Sequence, residues 1–164
     1  MKKVALKIAV GMGIALVLAV ASITGIRLFS DGPIEMLPGG PMSGTRSLEG
    51  FPGFGDQTSD FIELQVNGWI PSSRTVIGFV LDDNLYIPSV RAGSKWWPEE
   101  VLNNPKVIVR YRDILYPRRA IRITDPARIR QLRTAVVEAE TLVSAPEMFM
   151  EETTWFFRLE PIEE

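Results

Sequence analysis

The sequence predicts a mainly antiparallel β domain that follows one N-terminal transmembrane helix. Three observations support this prediction: a long uncharged stretch near the N-terminus, about six strand-like segments joined by short turns, and two short segments with helical character. Sequential hairpins with few helices favour an antiparallel barrel or roll. The chain of 164 residues divides into a cytoplasmic lead and anchor (1–29), a Gly/Pro-rich linker or arm (30–58) and the β domain (59–164).

The predicted anchor is the stretch of residues 8–26, which contains no charged side chain. As an α-helix it is about 28 Å long, close to the roughly 30 Å of a bilayer's hydrocarbon core. Three lysines precede it, so the positive-inside rule predicts a single-pass inner-membrane protein with a cytoplasmic N-terminus and a periplasmic or extracytoplasmic domain. A cleavable secretory signal ending near Ala19-Val20-Ala21 is the alternative, and it also exports the domain.

The composition excludes several classes of function. The chain has no Cys and no His, which excludes thiolate chemistry and His-based triads and leaves no imidazole for a metal site, so we expect no metal. The net charge of −2 and the lack of a recognition motif argue against nucleic acid.

The charges are distributed unevenly along the chain. Residues 74–133 carry 12 Lys and Arg against 6 Asp and Glu, whereas residues 134–164 carry one Arg against 8 Glu. The basic segment could bind an anionic ligand. Alternatively, the acidic tail folds back over it, or both are solvated faces.

The elements of the β domain follow from local patterns. Alternation predicts a half-buried strand at 62–66, and further strands are expected at 74–81, 85–87, 107–111, 115–123 and 154–159. Turns are expected at 67–68, 82–84 and 112–113. One helix is predicted over 96–102, and a second begins at Asp125-Pro126, where Asp is a favourable N-cap and Pro suits the first helical position.

One stretch of this pattern resembles a known family. A strand ends at Ser89, a loop with Gly93 follows, then Trp97, and seven residues later Asn104-Pro105 precedes a valine-rich strand. This order resembles the FMN-binding split-barrel family, and within it the deazaflavin (F420)-dependent nitroreductases, over roughly residues 60–140. The phosphate loop of that branch is degenerate here, because Gly-Arg-Lys-Ser-Gly is replaced by residues 68–73.

The resemblance implies a split β-barrel with about six strands and two short helices, which forms a homodimer and has FMN or F420 as candidate cofactors. It also implies a set of cofactor-binding residues, in which cations meet a phosphate, hydroxyls donate hydrogen bonds and an indole ring stacks: Arg74, Thr75, Ser89, Arg91, Lys95 and Trp97. Trp96 is the alternative stacking residue, whereas the ordinary interpretation makes one Trp core and leaves Arg91 and Lys95 solvated.

No catalytic side chain is implied, because in such enzymes the cofactor carries the hydride chemistry. The sequence therefore leaves three functions open. One is a cofactor-free binding module in the envelope, and another is a flavin- or deazaflavin-dependent oxidoreductase acting on a quinone-like or nitro-like acceptor. The third is an unrelated structural β domain. Within the arm, Pro38-Gly39-Gly40-Pro41 is a weaker candidate for a phosphate-binding turn.

Overall fold

The computed structural model describes residues 11–14, 16–18, 21–22, 25, 30–35, 37–47, 49–139 and 146–162. The described positions between 11 and 25 are helical. Much of the predicted anchor lies outside the described residues. Within the described part of the chain, no helix has both the length and the apolarity needed to cross a membrane.

Six antiparallel strands form a closed barrel, which confirms the predicted antiparallel β-barrel. After a two-residue strand β1 (Thr45–Arg46), the barrel strands are β2 (Ser59–Val66), β3 (Ser72–Leu81), β4 (Asn84–Ser89), β5 (Lys106–Tyr111), β6 (Ile114–Arg122) and β7 (Trp155–Pro161). Their order is β6-β5-β2-β3-β4-β7, and pairing of β7 with β6 closes the barrel. The short β1 pairs in parallel with the start of β6.

Two hairpins of the barrel have two-residue turns in which residues other than glycine adopt a positive φ. Asp82 and Asp83 connect β3 to β4, and Arg112 and Asp113 connect β5 to β6, all with positive φ between 49° and 63°. Such turns match the twist of the flanking strands and usually contain Asn or Gly. Asp tolerates this conformation better than most residues, so the turns form where the sequence predicts them.

The barrel interior is filled by alternate residues of the strands. Leu64 and Val66 of β2 pair with Val109 and Val107 of β5, and all four are almost completely buried. Since neighbouring residues of a strand point to opposite faces, this register places the apolar set inside. Burial of each such side chain contributes about 1.5–3 kcal/mol.

Two helices cover the barrel. Helix α1 (Trp96–Asn103) contributes Trp97 and Val101 to the barrel core. Helix α2 (Pro126–Ala139) begins at the predicted cap, because the Asp125 carboxylate accepts hydrogen bonds from the backbone amides of Ala127 and Arg128. Its residues Leu132 and Val136 belong to a second apolar cluster, together with Phe79, Tyr86, Phe149 and Phe156.

The described part of residues 30–58, which we call the arm, packs along the barrel. Phe51 and Phe54 lie with their ring centroids 5.5 and 5.3 Å from that of Tyr111. Phe54 crosses β3 at Gly78, where an added Cβ would lie 3.0 Å from the Phe54 ring. Glycine at this position therefore permits the close approach of the arm.

The backbone amides of the Gly39-Gly40 turn of the arm donate hydrogen bonds within the protein. The Gly39 amide donates to the Ser73 carbonyl over 2.9 Å, and the Gly40 amide donates to Ser30 Oγ over 3.0 Å. The Gly39 amide holds the arm on β3 and the Gly40 amide bonds within the arm, so neither is available to a phosphate and the interpretation of this turn as a phosphate cradle was wrong.

The acidic C-terminal segment lies against the basic part of the chain. Strand β7 is inserted between β4 and β6, with Glu160 directly opposite Arg119. Outside the strand, Glu151 forms an ion pair with Arg91. At these positions the structure favours the prediction that the acidic tail folds back over the basic segment.

Candidate functional site

Three cationic side chains, Arg74, Arg91 and Lys95, come together where the β4–α1 loop meets β3; we call them the basic cluster. Arg74 lies on β3, and the other two lie on the loop that includes a 3₁₀ turn over Ala92–Ser94. The charges of both arginines act on Lys95. Three like charges in one region repel one another, so an anion placed among them is favoured.

The electrostatics of Lys95 reflect this crowding. Desolvation lowers the pKa of the Lys95 ammonium, and the positive charges of Arg74 and Arg91 lower this pKa further. Lys95 as a residue remains exposed, so solvent screens part of the repulsion. A phosphate or carboxylate beside it would raise its pKa again.

A buried hydroxyl without a hydrogen-bond partner lies next to the basic cluster along the chain. Ser89 is the last residue of β4, is 1% exposed, and its Oγ has no hydrogen-bond partner among the described residues. A second hydroxyl of this kind, Ser72 Oγ, lies at the start of β3, two residues before Arg74. Buried polar groups are nearly always paired, so these hydroxyls favour an additional group that would hydrogen-bond to them.

The two tryptophans of α1 have different environments. Trp97 is 2% exposed and packs against Phe157, with ring centroids 5.8 Å apart, so it is a core residue. Trp96 is 46% exposed, and the Arg74 guanidinium carbon lies 4.8 Å from its ring centroid. Of the two, only Trp96 is therefore exposed enough to contact a ligand, whereas Trp97 belongs to the barrel core.

Arg91 is already engaged by a carboxylate. Its Nε and Nη2 donate to the two carboxylate oxygens of Glu151, each over 3.1 Å. This hydrogen-bonded pair raises the pKa of Arg91 and lowers that of Glu151. An anionic ligand would have to share or displace Glu151 to reach Arg91.

Thr75 does not belong to the basic cluster. Its Oγ1 donates to the Glu35 carbonyl of the arm over 2.8 Å. It lines a different cavity of about 350 Å³, together with Glu63 and Arg110. As the neighbour of Arg74 on a strand, it points to the opposite face of β3.

Of the six predicted site residues, the structure thus brings Arg74, Arg91 and Lys95 together, places Ser89 beside them in the chain, buries Trp97 and separates Thr75. No sequence pattern predicted Ser72 or Glu151 at this site. Among the described residues, no group of three or more acidic side chains could hold a metal ion.

Glu100 is an acidic residue of α1 that contacts the β2–β3 turn. A Cβ added at Gly68 in this turn would be 2.7 Å from the Glu100 carboxylate oxygen. Gly68 thereby allows the helix to approach the turn. The Glu100 carboxylate therefore lies beside this turn.

Comparisons with known proteins give structural similarity of limited extent. No protein-family model and no curated protein matches the chain. Among solved structures, a protein from Listeria innocua that is provisionally named a pyridoxamine 5′-phosphate oxidase has 19% identity and a TM-score of 0.46, covering 63% of this chain and 84% of its own.

Two further structures are similar to the same extent. A NimC/NimA family protein from Clostridium acetobutylicum has 18% identity and a TM-score of 0.46, with coverage of 61% of this chain and 72% of its own. An FAD-binding protein from Mesorhizobium loti has 19% identity and a TM-score of 0.44, with coverage of 65% and 84%. Similarities of this size establish neither a family nor an activity for this chain.

Proposed function

We propose that this domain is a split-barrel binding module, tethered to the outer face of the inner membrane, for a ligand that carries a phosphate group and an aromatic ring. The proposal depends on one observation: two cations, Arg91 and Lys95, follow β4 in the loop after it, the charge of Arg74 on β3 acts on Lys95, and the buried Ser89 hydroxyl at the end of β4 has no hydrogen-bond partner among the described residues. Cations and neutral hydroxyl donors together are the groups that bind phosphate oxygens.

A flavin mononucleotide fits this site in part. Arg74, Lys95 and Ser89 suit its phosphate, with Arg91 available once Glu151 is displaced. The ring system has a less complete site, because Trp97 is buried and Arg74 lies over the exposed Trp96. We therefore favour binding over catalysis for this chain.

The alternative, a flavin- or deazaflavin-dependent oxidoreductase, is supported by the same phosphate-binding residues. It requires a second wall for the ring, which a second copy of the chain could supply. Apolar side chains are exposed on the β2–β3 turn and on α1, namely Trp69 (98%), Ile70 (50%), Trp96 (46%) and Leu102 (46%). A homodimer that buries this face is part of the proposal.

The test compares FMN with riboflavin, which differ by the phosphate alone, and adds F420 as the deazaflavin candidate. Each is titrated into the full-length protein in nanodiscs, with binding followed by fluorescence quenching and thermal shift. We expect FMN to bind at least tenfold more tightly than riboflavin, since charge-assisted hydrogen bonds contribute about 1.5–3 kcal/mol each. Equal affinity for FMN and riboflavin, or no binding of any of the three, would contradict the proposal.

The absorbance spectrum of the purified protein separates the two functions. A module that takes up its ligand reversibly should be colourless as isolated and gain FMN on titration. A protein purified with a flavin or deazaflavin band, whose bound ligand is reduced by a hydride donor and reoxidised by a quinone, would favour the oxidoreductase. Light scattering on the same sample gives the oligomeric state.

A further inference from the structure

A second cationic side chain, Arg118, lies apart from the basic cluster, at the contact between the arm and the barrel. Arg118 on β6 is 1% exposed and, among the described residues, is the largest fully buried side chain. It is directly opposite the core residue Val107 of β5, so its side chain leaves the strand on the interior face. A guanidinium placed there must be compensated, because an isolated buried charge is very costly.

The described residues compensate Arg118 with neutral groups. Its Nη1 donates to the Pro117 carbonyl over 2.8 Å, its Nη2 donates to the Glu49 carbonyl over 3.2 Å, and its Cζ lies 5.3 Å from the Tyr116 ring centroid. No described carboxylate forms an ion pair with it. Burial lowers the pKa of Arg118, but an arginine remains charged at neutral pH.

The hydrogen bonds leave donors of this guanidinium available. Arg has five N–H donors in a planar fork, and the two described bonds use two of them. The remaining donors suit a planar carboxylate, which binds two parallel N–H groups at once.

Arg118 lines a cavity of about 360 Å³ between the arm and the barrel. The cavity lies at the β3–β4 turn, and thus at the start of β4, whereas Ser89 marks the end of that strand. Its lining combines apolar walls with two carboxylates: Phe51, Val80, Leu85 and Leu159, with Asp83 and Glu160.

We infer that this cavity binds an organic monocarboxylate, with its carboxylate on Arg118 and its apolar body against the aliphatic and aromatic walls. The two acidic residues of the lining disfavour a doubly charged anion such as phosphate. A single negative charge with an apolar tail matches both the buried cation and the walls. The site is independent of the basic cluster and of the function proposed for it.

The test is calorimetric titration of the full-length protein in nanodiscs with hexanoate, and with hexanamide as a neutral probe of the same shape. We expect saturable binding of hexanoate that is at least tenfold tighter than that of hexanamide, and no displacement of hexanoate by inorganic phosphate. Arg118→Met should lose hexanoate binding by tenfold or more while FMN titration gives an unchanged result. The Arg118→Met protein in nanodiscs also serves as the control for partition of hexanoate into the lipid.

A second variant keeps the test decisive should Arg118→Met fail to fold. Gly50 lines the cavity, its φ is not in the left-handed region, and a Cβ added there meets no atom within 4 Å. Gly50→Phe should therefore fold, fill the cavity and abolish hexanoate binding with Arg118 in place. Absence of hexanoate binding to the unmodified protein, or equal binding to the unmodified protein and a folded variant, would overturn the inference.

Discussion

The guanidinium of Arg74 lies over the exposed indole of Trp96, with 4.8 Å between the guanidinium carbon and the ring centroid. It is also 5.6 Å from the centroid of the buried Trp97. One cation thus contacts the surface tryptophan and the core tryptophan of α1, and connects the barrel strand β3 to this helix. Arg74 is therefore both a packing residue and the candidate phosphate ligand closest to an aromatic ring.

Replacement of Arg74 by Met should reduce FMN affinity by at least tenfold, because a charge-assisted contact to phosphate is worth more than 1.4 kcal/mol. The loss of cation–π contacts should also lower the free energy of unfolding by about 0.5–1 kcal/mol. Fluorescence titration and chemical denaturation measure the two effects. Arg112→Met is the matched control, since Arg112 lies 5.1 Å over Tyr111, away from the basic cluster. If both variants bound FMN like the unmodified protein, Arg74 would not be a ligand residue.

Lys95→Met should lower the FMN affinity without lowering the stability of the protein. The pKa of Lys95 is lowered in the folded state by desolvation and by Arg74 and Arg91, so its charged form is disfavoured on folding. The unmodified protein should therefore gain stability as the pH rises toward the unfolded pKa of Lys, and this gain is absent in the variant.

At neutral pH we expect the midpoint of thermal unfolding of Lys95→Met to be equal or slightly higher, and FMN affinity to be lower. Thermal unfolding from pH 7 to pH 10 with and without FMN gives both results. A variant that is less stable at pH 7 and binds FMN normally would show that Lys95 is a structural residue.

The strands were predictable because their signal is local. Alternation and two-residue turns set the ends of the barrel strands to within three residues, and Asp125 marked the start of α2 through its own capping bonds. The two faces of β3 were also encoded, since adjacent residues Arg74 and Thr75 cannot point to the same side. This rule separates Thr75 from the predicted site.

The long-range contacts of the site had no such signal. Arg91 and Glu151 are 60 residues apart, and no periodicity relates them. The burial of Trp97 was partly predictable from the sequence, because Trp97 and Val101 are spaced by four residues and share one face of α1. Arg118 is the opposite case, since its position in the alternation of β6 predicts the interior although its charge predicts the surface.

Acid should loosen the arm from the barrel. The Asp31 carboxylate accepts a hydrogen bond from the Ser43 amide over 2.7 Å and one from Arg110 Nη1 over 3.1 Å. The Ser43 amide and the Arg110 charge lower the pKa of Asp31 below its ordinary value of 3.8. A carboxyl with a lowered folded pKa contributes stability above the unfolded pKa, and this stability is lost as the pH falls through the folded pKa.

Asp31→Asn should imitate the protonated state at pH 7. We expect faster proteolytic cleavage within residues 30–58, and little change in the global unfolding midpoint, because Asp31 is on the surface. Asp56→Asn, also in the arm, serves as the control. Cleavage at the same rate in both variants would show that the contacts of Asp31 do not hold the arm.

Substitution of the buried serines Ser89 and Ser73 by Ala should have different effects on the free energy of unfolding and on FMN affinity. Ser89 Oγ has no hydrogen-bond partner among the described residues, whereas the fully buried Ser73 donates from its Oγ to the Gly40 carbonyl over 2.6 Å. An unsatisfied buried hydroxyl costs about 1–3 kcal/mol. Ser89→Ala should therefore leave the free energy of unfolding unchanged or raise it by about 1 kcal/mol, while FMN affinity falls.

Ser73→Ala should lower the free energy of unfolding by about 1 kcal/mol and leave FMN affinity unchanged, because its hydrogen bond holds the arm and faces no ligand. Denaturant unfolding and FMN titration measure the free energy of unfolding and the FMN affinity of both variants. A gain in stability coupled to a loss of affinity at Ser89 is expected of a hydroxyl kept for a ligand. A loss of stability at Ser89 with unchanged affinity would mean that its partner is structural, and the phosphate site would then have to be placed elsewhere.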